Sequence, residues 1–182
     1  MTKILILFAH PALEKSRVHS QLIPSVRGMQ GITFHDLYEV YPDLNIDVRQ
    51  EQSLLLQHDI ILFQHPFYWY SAPAIIKQWQ DLVLEHGWAY GATGTALRGK
   101  RLGNIITAGG QETTYSPTGW HAHTIDDFLL PFRQTALLCN MQYLPPFVIY
   151  GTHRLTSTSI GEHTVAYRQM LEQLRDGQTR LQ

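Results

Sequence analysis

Cysteine is almost absent. Cys139 is the only one in 182 residues, which excludes an internal disulfide and a cysteine-built metal site and favours a reducing compartment. Net charge is equally scarce: 14 Lys and Arg against 15 Asp and Glu leave −1, so no basic excess recommends nucleic acid or an anionic membrane as a partner. No stretch approaches the roughly 18 uninterrupted apolar residues of a membrane helix, and the opening run Ile4–Ala9 meets His10-Pro11 rather than a signal-cleavage pattern. Membrane association is therefore expected to be peripheral at most. The ten histidines show no HExxH or similar spacing, so no metal is expected, and P-loop and GxGxxG turns are missing too. Repeats and low-complexity segments are lacking. What is present, 44% hydrophobic and 16% charged residues, suits a single globular domain over residues 1–182.

Short apolar runs alternate with helical patterns. KILILFA at 3–9 has no period-2 alternation, as expected of a strand buried on both faces of a parallel sheet. Further strands are expected over 32–37, 60–64, 102–107 and 143–150, the last confined by Pro145-Pro146 mainly to 147–150. Between them lie five helical patterns. The first carries Val18, Leu22, Ile23 and Val26, with Ser16 as its cap and Pro24 as a kink. Asp47 with Gln50 reads as a capping box for the second, and Ser71 with Pro73 as the start of the third, whose inner face is Ile75, Ile76, Trp79, Leu82 and Val83. The fourth, with Ile125, Phe128, Leu129, Phe132 and Ala136, is interrupted by Pro131; the last presents Ala166, Tyr167, Met170, Leu171 and Leu174 before a polar tail, DGQTRLQ, expected to fray. This alternation argues for a doubly wound five-stranded parallel sheet with helices on both faces.

Three loops carry the chemistry. In HPALEKSRVHS, the N–H groups of Ser16, Arg17 and Val18, the Ser16 hydroxyl and the side chains of Arg17 and His19 could cradle a phosphate, or the serine could simply cap a helix. In FQHPFYWYSAPAIIKQW, the aromatics Phe67, Tyr68, Trp69 and Tyr70 stand at the carboxyl end of a strand, where open α/β sheets bind ligands; they suit a flat ligand or a packed neighbour. In TAGGQETTYSPTGWHAH, Gly109 and Gly110 allow close backbone approach, while Tyr115 and His121 could exchange protons with a redox ligand or be ordinary surface residues. The glycine-rich segment 86–101 reads as a long loop, with Arg98, Lys100 and Arg101 as a solvated rim.

Taken in order, HP with Ser16 after the first strand, HPFYWYSAPAIIKQW, WAYG, and TAGG followed by YSPTGWH resemble the NAD(P)H:quinone oxidoreductase flavoproteins of the flavodoxin-like fold. In length and in the stretch DLYEVYPDLNIDV the chain is similar to the bacterial ancillary proteins of glutathione-regulated potassium efflux systems. The resemblance implies FMN as cofactor, in preference to FAD because the C-terminus is short, and NAD(P)H as co-substrate. By the same resemblance His10 and Ser16, Arg17, Val18 and His19 would hold phosphate and ribityl chain, Phe67 to Tyr70 the ring, and Thr107, Ala108, Gly109 and Gly110 its polar edge. Tyr115 and His121 would assist hydride transfer to a quinone. His19 stands where relatives commonly carry asparagine, and Ala108 where they carry threonine or a similar residue. A cytoplasmic homodimer is implied, with a potassium efflux transporter at the inner face of the membrane as an alternative partner and regulation as the alternative function.

Overall fold

Five consecutive apolar residues leave Ile4–Phe8 (β1) no side to turn to water, and every position of the strand is buried. In the computed structural model, which describes residues 1–178, β1 pairs in parallel with Ile32–Asp36 (β2) and with Ile60–Pro66 (β3). Arg101–Thr107 (β4) follows β3, and Gln142–Tyr143 (β5) completes the order β2-β1-β3-β4-β5, parallel throughout. Phe147–Ile149 (β6) pairs with the other end of β4. The edge strand expected over 143–150 is thus two short pieces on one edge, because Pro145 and Pro146 offer no N–H to a ladder. Of the tail expected to fray, residues 179–182 lie outside the described residues.

Alternate side chains of the strands feed two cores. Ile4, Ile6, Ile60, Leu62 and Ile105 meet His19–Leu22 (α1) and Ser157–Arg175 (α7) on one face. On the other, Leu5, Leu7, Ile61, Phe63 and Ile106 meet Leu37–Val40 (α2), Val48–Gln57 (α3), Ala74–Val83 (α4), Ile125–Phe128 (α5) and Leu130–Leu138 (α6). This is the doubly wound arrangement that the alternating pattern implies. Among the described residues no helix is long and apolar enough to cross a membrane.

Helix boundaries depart from expectation where local chemistry competes. The first helix stops at Leu22 and tightens to a 3₁₀ turn over Ile23–Ser25, since Pro24 cannot continue the α ladder. Ser71 does not cap α4: its N–H donates to Tyr68 O within a tight turn, and Pro73 occupies the cap position. Leu82 is 39% exposed, so the inner face of α4 is narrower than the spacing suggests. Pro131 sits in the first turn of α6 instead of interrupting it, with the break falling at Leu129. Asp47 accepts from Gln50 N without the reciprocal bond, so it is a simple cap. Lys100 is drawn from the solvated rim to the end of α3, where Nζ donates to the carbonyls of Leu56 and His58.

The largest departure is a buried carboxylate. Glu51 on α3 has no exposed surface, and it accepts from Tyr41 Oη (2.6 Å) and Trp79 Nε1 (2.8 Å) and pairs with His35 Nε2 (2.8 Å). Burial alone would raise its pKa, but the hydrogen bonds from His35, Tyr41 and Trp79 outweigh it and hold the carboxyl below the usual range. Its contribution to stability is therefore full above the ordinary carboxylate pKa and is lost as pH falls through the lowered folded value. Trp79→Phe withdraws one donor and some ring volume. It is expected to destabilise the fold by about 2 kcal/mol in chemical denaturation and to move acid unfolding to higher pH; an unchanged acid limb would contradict this role of the indole N–H.

Candidate functional site

In-register parallel pairing stacks Phe8 beside Gln64, Pro66 beside Thr107, and Thr107 beside Ile149, so four strands end at one edge. The loops leaving these ends enclose a cavity of about 440 Å³, within the usual range for a small-molecule site. It is lined by His10, Lys15, Ser16, Arg17 and Val18 of the loop after β1, by Pro66 and Phe67–Tyr70 at the end of β3 and after it, by Thr107, Gly109, Gly110, Tyr115 and His121 at the end of β4 and after it, and by Thr152 and His153 after β6.

The first loop offers donors. Ser16 N–H is spent on Leu13 O, and the Ser16 hydroxyl oxygen accepts from His19 N (3.1 Å), which leaves the hydroxyl hydrogen for a ligand. Among the described residues the N–H groups of Arg17 and Val18 meet no backbone acceptor. His10 Nδ1 accepts from Ala12 N (3.1 Å), so the neutral ring carries its proton on Nε2; burial keeps its pKa down against the opposing charge of Glu14. Arg17 Nη2 donates to Leu155 O (2.9 Å), tying this loop to the loop before α7.

The aromatic loop is a tight turn of uncommon composition. Ser71 N donates to Tyr68 O, and the two central residues, Trp69 (φ 50°) and Tyr70 (φ 63°), are both left-handed. This conformation suits Asn-Gly and strains bulky side chains, and such strain collects at functional sites. It separates the roles of the aromatics. Trp69 is 93% exposed; Tyr68 sets its ring edge-on to His10 (6.1 Å). Phe67 and Tyr70 turn the other way, packing with Phe128 at 5.7 and 5.0 Å.

That aromatic cluster carries the proton-exchanging pair. Tyr115 and His121 stack face to face, with centroids 4.2 Å apart and planes 14° off parallel. Tyr70 stands edge-on to His121 at 5.6 Å, and Phe67 edge-on to Tyr115 at 5.9 Å. Burial raises the Tyr115 phenol pKa, so the O–H stays protonated at neutral pH. His121 Nδ1 is buried without a hydrogen-bond partner among the described residues, a cost that a bound polar group would relieve. Gly110 is required beside this pair, since a Cβ there would meet the Tyr115 ring at 2.9 Å.

Beneath the cavity the strands carry polar side chains, one set on each face. On one face Tyr167 Oη donates to Gln64 Oε1 (2.7 Å), Gln64 Nε2 meets His19 Nδ1 (3.3 Å), and His19 Nε2 meets Thr107 Oγ1 (3.1 Å). On the other, Tyr143 Oη donates to Asn104 Oδ1 (2.7 Å), Asn104 Nδ2 meets His65 Nε2 (3.3 Å), and His65 Nδ1 donates to Pro66 O (3.0 Å). Burial pushes His19 down to about 3, assisted by His10 and His65, and His65 down to about 4 against the Pro66 bond. Both rings are neutral.

Thirteen of the fifteen residues singled out in the sequence line the cavity; His19 and Ala108 do not. His19 is wholly buried on the inner face of α1, and Ala108 gives its N–H to Ile149 O and its carbonyl to Thr152 N. Neither side chain faces the space. Sequence reasoning missed Lys15, Pro66, Thr152 and His153. The last two follow β6 directly, so the rule that ligands gather beyond the carboxyl ends of parallel strands could have found them.

Residues 2–174 match the family model described as having a flavodoxin-like fold. The glutathione-regulated potassium-efflux system ancillary protein KefG of Yersinia pestis (strain Pestoides F) is 42% identical over 170 residues, 93% of each chain. The general stress protein 14 of Treponema denticola, solved in complex with FMN, is 37% identical, with a TM-score of 0.87 over 94% of this chain and 97% of that one. An NADPH-quinone reductase from P. pentosaceus is 34% identical, with a TM-score of 0.84 over 92% and 96%. The fold and the strand-end cavity define a flavodoxin-like α/β protein, and this chain belongs to that flavodoxin-like family.

If Trp69 is presented to the cavity mouth and not packed, Trp69→Asn should leave stability unchanged or raise it by up to about 1 kcal/mol, because Asn tolerates φ > 0. Chemical denaturation measures this directly. A clear loss of stability would mean that the indole is held by contacts within the chain.

Proposed function

We propose that this protein is an FMN-dependent NAD(P)H:quinone oxidoreductase. The observation that carries the reading is that a donor-rich loop, a strained aromatic turn and a stacked Tyr115–His121 pair all line one cavity. The residues present fit FMN. The Ser16 hydroxyl and the N–H groups of Arg17 and Val18 suit a phosphate, with Lys15 and Arg17 supplying positive charge nearby. The Trp69–Tyr70 turn suits a planar ring, and the N–H groups of Gly109 and Gly110, which meet no backbone acceptor among the described residues, suit its polar edge. The orphaned His121 Nδ1 supplies one further partner.

When bound, FMN supplies the two-electron chemistry, taking a hydride from NAD(P)H and returning it to the acceptor. The protein's own work is binding and proton control. A quinone that receives a hydride still needs one proton to become a hydroquinone, and His121, held flat against the Tyr115 phenol in the cavity wall, is the side chain assigned to give it. Tyr115 donates its hydroxyl hydrogen to the developing oxyanion, which the aromatic cluster of Phe67, Tyr70 and Phe128 helps to shield from water.

A second reading, regulation of a glutathione-regulated potassium efflux transporter, is favoured by the KefG relatives, which are named as ancillary proteins of such systems. Trp69 (93% exposed) and Trp120 (89% exposed), one residue before His121, are apolar surfaces suited to a second copy of the chain or to such a transporter. Under this reading the protein works in the cytoplasm at the inner face of the membrane.

FMN-loaded protein should oxidise NAD(P)H in the presence of a quinone. Tyr115→Phe and His121→Asn should lower turnover by about 10²-fold with the flavin retained. Flavin-loaded protein that leaves NAD(P)H and quinones unchanged would reject the enzyme reading. Potassium efflux that is stimulated equally by these variants would make transporter binding the primary role.

A further inference from the structure

We propose that His19 is a positioning residue: locked as its Nε2–H tautomer between Gln64 and Thr107, it donates to the Thr107 hydroxyl oxygen and leaves the hydroxyl hydrogen free to donate into the cavity. The direction is set from the far end of the relay. Tyr167 is wholly buried, and its hydroxyl has one partner among the described residues, Gln64 Oε1 at 2.7 Å. That separation is the usual O–H···O distance and is short for an amide N–H, so the phenol donates and the amide oxygen accepts. The Gln64 NH₂ group is then turned to His19. An amide nitrogen only donates, hence His19 Nδ1 at 3.3 Å accepts and the ring proton resides on Nε2.

Nε2–H in turn points at Thr107 Oγ1, 3.1 Å away. A hydroxyl that already accepts keeps one hydrogen to give, and among the described residues the Thr107 hydroxyl has no other hydrogen-bond partner. Thr107 lines the cavity and is 8% exposed, so the cavity is the direction left open for that hydrogen. Burial keeps the His19 ring neutral far below physiological pH, which preserves the tautomer. Under the opposite tautomer that hydrogen would be spent on the bare ring nitrogen; here it is free for the cavity, and so favours an acceptor atom that gains negative charge.

The consequence for redox chemistry rests on the FMN reading. A hydroxyl hydrogen kept free for the cavity holds the electron-rich reduced flavin more strongly than the oxidised form and raises the midpoint potential. The tautomer itself does not depend on that reading, and nitrogen-15 NMR of histidine-labelled, ligand-free protein reads it directly. The expected spectrum shows His19 protonated on Nε2 and bare on Nδ1; protonation on Nδ1 would overturn the proposal. Tyr167→Phe, which frees the Gln64 amide to turn over, should introduce the other tautomer.

In FMN-loaded protein, Thr107→Val and Tyr167→Phe should both lower the midpoint potential, and Thr107→Val should weaken FMN binding about three- to ten-fold. Should Thr107→Val leave the potential unchanged, the donor role falls even with the expected tautomer in place. Circular dichroism of each variant separates these outcomes from misfolding. Failure of the wild-type protein to bind FMN would reject the functional reading, while the ligand-free NMR spectrum would still decide the tautomer.

Discussion

The in-register parallel pairing of β3 with β1 and β4 is the constraint on which the rest of the structure depends. It aligns Phe8, Gln64 and Ile105 across the sheet and brings Pro66 beside Thr107, so the loops that line the cavity leave from one edge. Parallel strands buried on both faces are apolar for most of their length, which accounts for the runs Ile4–Phe8 and Ile60–Phe63. The buried polar side chains of β3 enter only near its carboxyl end, while β4 carries one at its middle and one at its end. Gln64, His65, Asn104 and Thr107 are these residues, 8% exposed or less, and each is hydrogen-bonded.

Those polar residues link the stability of the fold to the properties of the site. A buried amide or imidazole without a partner would cost about 1–3 kcal/mol, so each relay must be complete for the strand ends to stay in place. Their end residues, Thr107 and Pro66, also line the cavity. The cluster around Glu51 does similar work away from the cavity, joining β2, α3 and α4 through His35 and Trp79.

Much of this was legible in the sequence, for physical reasons. Runs without alternation identify β1 and β3, and residues just after such runs in a doubly wound sheet must lie at its ligand-binding edge. Hence His10, Ser16, the 67–70 aromatics, Gly109 and Gly110 were found. Other features carry no local signal. Glu51 is one acidic residue on a helix of modest amphipathicity, and only the fold brings its three partners to it. The left-handed Trp69 and Tyr70 oppose their own backbone preferences, so no propensity argument could place them. His19, expected at a phosphate, lies three residues before Leu22 on α1 and four before Ile23 in the 3₁₀ turn that follows, and all three are buried.

The account centres on one claim, that the strand-end cavity is a flavin site. Titration of the ligand-free protein into free FMN, followed by the quenching of flavin fluorescence, tests it most directly. The account predicts saturable quenching with one FMN per chain, weakened when the donors of the first loop are removed by Ser16→Ala with Arg17→Ala. Fluorescence that remains that of free flavin at every protein concentration would contradict it.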